Sequence, residues 1–238
     1  MAGKTKIEWT ECSWNPITGC TKISEGCRNC YAARMAHRLK AMGNIRYQNE
    51  FDVTVHMDLI DKPLHWKKSK MIFVNSMSDL FHDNVPDEII IKIFETMNKA
   101  TWHTFQILTK RSERLVKLAP KLNWTPNIWM GVSVENQSVM YRIDHLKQTK
   151  AHTKFISAEP LLESLKSIDL NGIDWLIVGG ESGHYSRPME KEWVIELKNL
   201  AQETNTAFFF KQWGGFNSKK NGSELDGKYY KEYPANKL

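Results

Sequence analysis

The sequence predicts an α/β fold on parallel strands, either an α/β barrel or a doubly wound sheet. Two observations carry this. Apolar, β-branched runs recur along the 238-residue chain with amphipathic stretches between them, so that strand, loop and helix follow one another at least five times. Every confident run also ends in polar or charged residues, and it is at such strand exits that parallel α/β folds build their sites.

The elements read in order as follows. A weak first strand falls in Ile7–Trp14, before a cysteine-rich loop. Helix Tyr31–Ala41 comes next and stops near Gly43. Residues 44–70, with His56 and His65, form a long insertion. Strand Met71–Asn75 precedes helix Pro86–Lys99, which opens on proline and acids as helix starts do. Strand Phe105–Thr109 precedes helix Ser112–Leu118, and strand Ile128–Val134 precedes helix Gln137–Lys147. Strands Lys154–Ala158 and Trp175–Gly179 lead to helix Lys191–Gln202 and strand Ala207–Lys211. Their unbroken apolar character suits strands buried on both faces. Residues 214–238, rich in Gly, Ser, Lys and Tyr, form an appended tail. No internal repeat or low-complexity linker interrupts the chain, so one domain is expected.

Composition sets outer bounds. Apolar residues make up 41% and charged residues 25%, which excludes a disordered, collagen-like or coiled-coil chain. No run approaches the roughly 18 apolar residues of a membrane helix. The N-terminus lacks the apolar run of a secretory signal, and a cytoplasmic location without membrane contact is expected. The 33 basic and 27 acidic residues leave a net charge of +6, compatible with nucleic acid without establishing it. The clusters Lys67-Lys68-Ser69-Lys70 and Lys219-Lys220 read as solvated loop charge.

All 4 cysteines lie between residues 12 and 30. In a reducing compartment such clustering points to metal or redox chemistry. Cys20, Cys27 and Cys30 have the spacing Cys-x6-Cys-x2-Cys. Three thiolates can hold three irons of a 4Fe–4S cluster and leave the fourth open. Gly19 and Gly26 permit tight turns, and the helix from Tyr31 would aim its N-terminus at an anionic cluster. With Cys12 as a fourth ligand, a closed four-thiolate site would make zinc a rival. Its place in the first strand makes Cys12 a buried strand thiol instead.

The strand exits supply the candidate polar groups: Asn75-Ser76-Met77-Ser78-Asp79, Thr109-Lys110-Arg111, Ser133-Val134-Glu135-Asn136, Ser157-Ala158-Glu159-Pro160, Gly179-Gly180-Glu181-Ser182-Gly183 and Lys211-Gln212-Trp213. If the strands close into a barrel, these groups converge on one mouth. The Gly179–Gly183 segment lacks GxGxxG and a P-loop Gly-Lys-Ser/Thr, so a dinucleotide role is weakly supported.

The three-cysteine loop after a first strand, followed by the repeated βα chain, resembles the radical S-adenosylmethionine (SAM) superfamily. More closely, the chain resembles a phage and prophage family of radical-SAM-like proteins. The motifs that carry this are Lys6-Ile7-Glu8-Trp9-Thr10, Trp14-Asn15-Pro16-Ile17-Thr18-Gly19-Cys20, Gly26-Cys27 with Cys30-Tyr31-Ala32, Ser133-Val134-Glu135-Asn136, Ser157-Ala158-Glu159-Pro160-Leu161, Gly179-Gly180-Glu181-Ser182-Gly183, Phe210-Lys211-Gln212-Trp213-Gly214 and Leu225-Asp226-Gly227. The spore photoproduct lyase branch is similar more distantly, its cysteines also being followed by Tyr-Ala. Two features depart from the commonest superfamily pattern: the first cysteine gap is longer, and Asn29 stands where an aromatic usually precedes the last cysteine.

The resemblance implies a partial (βα)6-type radical SAM barrel over residues 1–213 and a C-terminal extension over 214–238. It implies a 4Fe–4S cluster on Cys20, Cys27 and Cys30 whose open iron chelates SAM, and reductive SAM cleavage to a radical that abstracts hydrogen from substrate. An electron donor such as flavodoxin or ferredoxin is implied as partner. By strand order, Ser76, Ser78, Asp79, Ser133 and Glu135 would contact SAM. Glu159, Glu181 and Lys211, on later strands, would face the substrate. The basic balance and the phage setting suggest a nucleic-acid base or nucleotide, DNA included. The alternative is a nucleic-acid-binding protein with a structural Fe–S or zinc site and no turnover.

Overall fold

The apolar runs assemble into one curled half-barrel of seven parallel strands. In the computed structural model these are β1 (Cys12–Trp14), β2 (Met71–Val74), β3 (Thr104–Thr109), β4 (Ile128–Ser133), β5 (Thr153–Ala158), β6 (Trp175–Gly179) and β7 (Ala207–Gln212), paired in chain order. Gly3–Lys4 adds a short antiparallel strand on the β1 edge. The structure describes residues 3–5 and 7–235. Lys6 of the opening motif and residues 236–238 of the expected extension lie outside the described residues.

Side-chain alternation divides the core in two. One face of each strand packs outward on helices. Ile72, Val74, Ile107, Met130, Val132, Ile156, Leu176, Val178, Phe208 and Phe210 meet Ile90, Ile93, Phe94, Leu115, Ile143, Leu146, Val194 and Leu197 there. These helix residues belong to α2 (Asp87–Lys99), α3 (Ser112–Leu118), α4 (Tyr141–Lys147) and α5 (Lys191–Glu203). The opposite face builds an aromatic inner core from Trp9, Phe73, Trp129, Phe155, Trp175, Ile177 and Phe209. Burial on both faces is why the strands read as unbroken apolar runs.

Two expected elements are shorter than the sequence suggests. The first strand is Cys12–Trp14 rather than Ile7–Trp14. The Thr10 amide closes a turn onto the Ile7 carbonyl, which swings Trp9 into the inner core, 4.7 Å from the Phe73 ring. The Thr10 hydroxyl then donates to the Met71 carbonyl at 3.1 Å. Residues 7–11 thus plug the half-barrel instead of extending its sheet. The predicted helix Gln137–Lys147 is a 3-10 turn, Gln137–Val139, followed by α4. The Gln137 amide donates to Glu163 and its side chain to the Ser164 carbonyl, drawing the first turn toward the β5–β6 loop.

The two segments outside the βα pattern both have work in the fold. Thr54–Val55 of the 44–70 insertion pairs with Ile17–Thr18, and the Cys20 amide donates to the Phe51 carbonyl at 3.0 Å, so the insertion shapes the entry to the cysteine loop. The tail runs along the β7 edge, where the Phe210 amide donates to the Tyr230 carbonyl at 2.9 Å. Lys231 pairs with Glu8 at 2.7 Å, tying the tail to the N-terminal segment, and the Trp175 indole of β6 donates to the Glu232 carbonyl at 2.9 Å. Among the described residues, no helix is long and apolar enough to cross a membrane.

Gly131, on the inward face of β4, admits the Phe155 ring. A Cβ there would stand 2.4 Å from a ring carbon. Gly131→Ala should therefore cost about 1–3 kcal/mol of stability through overpacking. An unchanged urea midpoint would show that the inner core yields more easily than this packing implies.

Candidate active site at the mouth of the half-barrel

The cysteine loop lies across the C-terminal ends of the strands and is held there from several of them. Past β1 the chain turns at Gly19 (φ 89°), where a Cβ would sit 2.1 Å from the Asp52 carbonyl oxygen. Only glycine passes this point without displacing backbone. Cys20 follows, Cys27 ends the 3-10 turn Glu25–Cys27, and Cys30 directly precedes α1 (Tyr31–Ala41). All three thiols are free and partly exposed. Cys12 lies in β1, buried in the layer between sheet and helices, with its Sγ toward the Met71 carbonyl at 3.8 Å. Cys12 thus lies in the sheet's core, apart from the loop that carries the other three.

Three arginines fasten the loop. The first, Arg111 after β3, donates Nη1 to the Cys20 Sγ at 3.4 Å and Nη2 to the Thr21 carbonyl at 3.0 Å. Asp79 after β2 steadies it at 3.4 Å. The Asp79 carboxylate also accepts from the Thr109 hydroxyl (2.7 Å) and the Phe81 and Lys110 amides (3.0 and 3.1 Å), so protein donors take up both oxygens. Burial, and next the Asp79 charge, push the Cys20 thiol up to about 11, with Arg111 pulling the other way. A thiol placed so ionises when a metal binds it.

The second arginine, Arg142 of α4, pairs with Glu135 at 2.9 Å, both fully buried. The other Glu135 oxygen accepts from the Gly26 amide at 3.2 Å, in the middle of the loop. A Cβ on Gly26 would come within 2.9 Å of that carboxylate, so glycine gives the close approach. Burial raises the Glu135 pKa, but Lys110, Arg142 and hydrogen bonds outweigh it, and the group is held below the usual carboxylate range. The third arginine, Arg187, donates three hydrogen bonds to Glu181 after β6, the shortest 2.6 Å, and one to the Glu25 carbonyl at 2.9 Å. Asn29 donates to Glu181 at 3.0 Å and to the Tyr185 carbonyl at 2.8 Å.

The remaining predicted residues face the same mouth with different commitments. Ser76 donates to Asn15 at 3.2 Å, and its carbonyl receives the Tyr31 hydroxyl. Ser78 donates to the Ile17 carbonyl at 2.9 Å. Ser133 is buried and its hydroxyl has no protein partner. Glu159 pairs with Lys211 at 2.7 Å and accepts from the Ser157 hydroxyl (3.1 Å) and the Trp9 indole (3.3 Å). Sequence reasoning passed over Arg142 and Arg187, noted Arg111 only as part of a strand exit, and quoted Asn29 and Trp9 as motif positions without a role. The one available signal was that each anionic exit would need a cation nearby.

The donor set fits an iron–sulfur cluster. The candidate ligands are thiols, soft donors once ionised, the loop is pinned at both ends, and α1 begins where the last thiol stands. Among the described residues, no three His, Cys, Asp or Glu side chains gather around a single ion. Cluster thiolates each take a different iron and need not meet at one point.

The sequence matches, over residues 4–234, the family described as "Protein of unknown function (DUF5131)". The chain belongs to this family. No curated protein matches it. Among solved structures, this DUF5131 member is similar to a single-substitution variant of spore photoproduct lyase, with a TM-score of 0.58, 11% identity, and coverage of 87% of this chain and 78% of that one. A second variant, with bound AdoMet and dinucleoside spore photoproduct, gives 0.53 at 12% identity and covers 86% and 64%. Spore photoproduct lyase complexed with dinucleoside spore photoproduct gives 0.51 at 13% over the same shares. At these identities the likeness shows a shared fold.

Glu135 gives a test of the clamp. Its pKa is lowered in the fold, so its stabilising contribution is complete above about pH 4.3 and is lost as pH falls through the lower native value. Arg142→Met strands the carboxylate and should cost about 3–5 kcal/mol near neutrality. The difference from wild type should narrow as pH falls through the variant's native pKa, which burial raises once Arg142 is gone, and close as the wild-type carboxylate protonates in turn. A loss that stays constant across pH in denaturant titrations would mean that Arg142 acts by packing alone.

Proposed function

We propose that the chain is a radical SAM enzyme acting on a nucleic-acid base or nucleotide. The observation that carries this is the three-cysteine loop seated on strand exits, in a half-barrel shared with spore photoproduct lyase. In this reading Cys20, Cys27 and Cys30 hold a 4Fe–4S cluster, with SAM at its open iron. Bound there, the cluster supplies the electron for reductive SAM cleavage, passed on from a donor such as flavodoxin or ferredoxin.

The chain's own residues divide the remaining work. Arg111 places a cation beside the Cys20 sulfur, and Asp79 holds that arginine in place. Glu135 and Glu181 work through the loop they fasten. With their oxygens engaged by protein donors, Asp79, Glu135 and Glu181 act as positioning residues. Ser133, whose buried hydroxyl is unmatched, is assigned to SAM, as are Ser76 and Ser78 at the β2 exit. Glu159 and Lys211 form a charge pair above the aromatic floor and are assigned to substrate. The basic balance of the chain and the dinucleoside in two lyase structures support a nucleic-acid substrate.

Anaerobic reconstitution followed by reduction with dithionite tests the reading. Wild type should bind iron and form 5′-deoxyadenosine from SAM. Alanine at Cys20, Cys27 or Cys30 should abolish both, while Cys12→Ala keeps them. Iron binding without 5′-deoxyadenosine would favour the binding-protein alternative, and zinc in place of iron would refute the cluster.

Ser133→Ala should keep its iron and lose SAM affinity roughly three- to tenfold, the worth of one hydrogen bond. Calorimetry on the reconstituted variant would measure this, and unchanged affinity would remove Ser133 from the SAM site.

A further inference from the structure

Beside the mouth, two loops present exposed aromatic rings on rigid supports. Tyr185 and Phe216 are 76% and 74% exposed. His184 lies between them, its ring 5.3 Å from Tyr185 and 5.1 Å from Phe216. Isolated apolar side chains on a surface need no explanation, but three rings grouped at a strand-exit rim do. The loops are joined by backbone: the Gly183 amide donates to the Gly215 carbonyl at 3.1 Å, and the Gly215 amide to the Glu181 carbonyl at 2.7 Å. The Asn29 hydrogen bond to the Tyr185 carbonyl ties this ledge to the cysteine loop.

The two loop segments themselves carry charge of one sign, and the nearby Glu25 and Glu181 are paired with Arg187. Residues 182–189 and 212–223 contain no Asp or Glu. Lys219 and Lys220, both exposed, follow Phe216 in a short turn that Asn221 anchors to the Gly214 carbonyl at 2.8 Å. Arg34 reaches the ledge from α1 and donates to the Ser182 carbonyl at 3.2 Å. From sequence the Lys219-Lys220 pair reads as solvated charge, whereas the fold sets it beside a stacking surface.

We propose that Tyr185, His184 and Phe216 form a stacking ledge for the bases of a single-stranded nucleic acid, with Lys219, Lys220 and Arg34 meeting its phosphates. Aromatic faces interleaved with cations are the chemistry that binds single strands with little sequence preference. An acidic peptide would use the cations but leave the rings without flat partners. The ledge deepens the nucleic-acid part of the reading above and does not depend on the cluster, so binding and SAM cleavage can fail separately.

Fluorescence anisotropy of the reconstituted full chain with a labelled oligothymidylate tests this, with oligouridylate, duplex DNA and an abasic strand of equal length as further arms. Wild type should prefer either single strand to duplex and to the abasic strand, and the two homopolymers distinguish DNA from RNA. Tyr185→Ala with Phe216→Ala should weaken binding at least tenfold while iron content and 5′-deoxyadenosine formation without nucleic acid stay unchanged. Both side chains are exposed, so the fold should tolerate the change. Lys219→Glu with Lys220→Glu should flatten the dependence of affinity on salt. Equal binding of the abasic strand, or full affinity in the aromatic double variant, would overturn the ledge and leave only a polyanion surface. Loss of SAM cleavage with oligonucleotide binding intact would refute the radical SAM reading and keep the ledge.

Discussion

The site rests on a constraint of charge. Three carboxylates stand at the ends of buried strands, and each is matched by an arginine that also reaches, or frees its carboxylate to reach, the cysteine loop. An unpaired carboxylate in such a place would protonate or destabilise the fold. Pairing alone would satisfy it, and apolar residues of similar size could satisfy the sheet equally well. These pairs also determine position. Glu135 spends one oxygen on Arg142 and the other on Gly26, so the sheet's charge balance and the loop's location are fixed together. In the same way Arg187 divides its donors between Glu181 and Glu25.

The second constraint is the aromatic floor. A half-barrel leaves its inner face open to water unless something fills it. Here Trp9 enters from the N-terminal segment while Tyr233 covers Trp175 from the tail, ring centres 5.1 Å apart. The polar mouth therefore sits on a buried, largely aromatic base. Lys211 and Glu159 lie at the boundary, where their attraction is stronger than in water. A reactive intermediate formed at that boundary would have protein beneath it, and the loop clamped above would limit solvent access from the other side.

The architecture was legible because it depends on local pattern. Runs buried on both faces and amphipathic helices between them leave marks on every few residues, and the boundaries of Tyr31–Ala41, Ser112–Leu118 and Trp175–Gly179 were readable to the residue. Residues 7–11 were misread as strand because Trp9 and Ile7 are apolar in either role, and only the contact with Phe73 reveals a plug. At the mouth, the anions were visible as strand exits. Their partners were not, because Arg142 and Arg187 sit on a helix and a loop where a basic residue is unremarkable by itself. What pairs with Glu135 is decided by a contact across the β4–α4 turn, and with Glu181 by a loop that doubles back on itself.

The same contacts account for the two departures from the commonest cysteine pattern. A three-residue gap would join Cys20 and Cys27 with little chain to spare. The six-residue gap supplies Thr21 for Arg111, Glu25 for Arg187 and Gly26 for Glu135, so the added length is where the sheet grips the loop. Asn29, in place of an aromatic, spends both of its described hydrogen bonds on the β6 exit, one to Glu181 and one to the Tyr185 carbonyl. A phenylalanine there could make neither bond, and no single aromatic ring carries the amide's two donors on one nitrogen. Asn29 tethers the loop to the ledge that carries His184, Tyr185 and Phe216. Loop position and ledge position are thereby linked through one side chain.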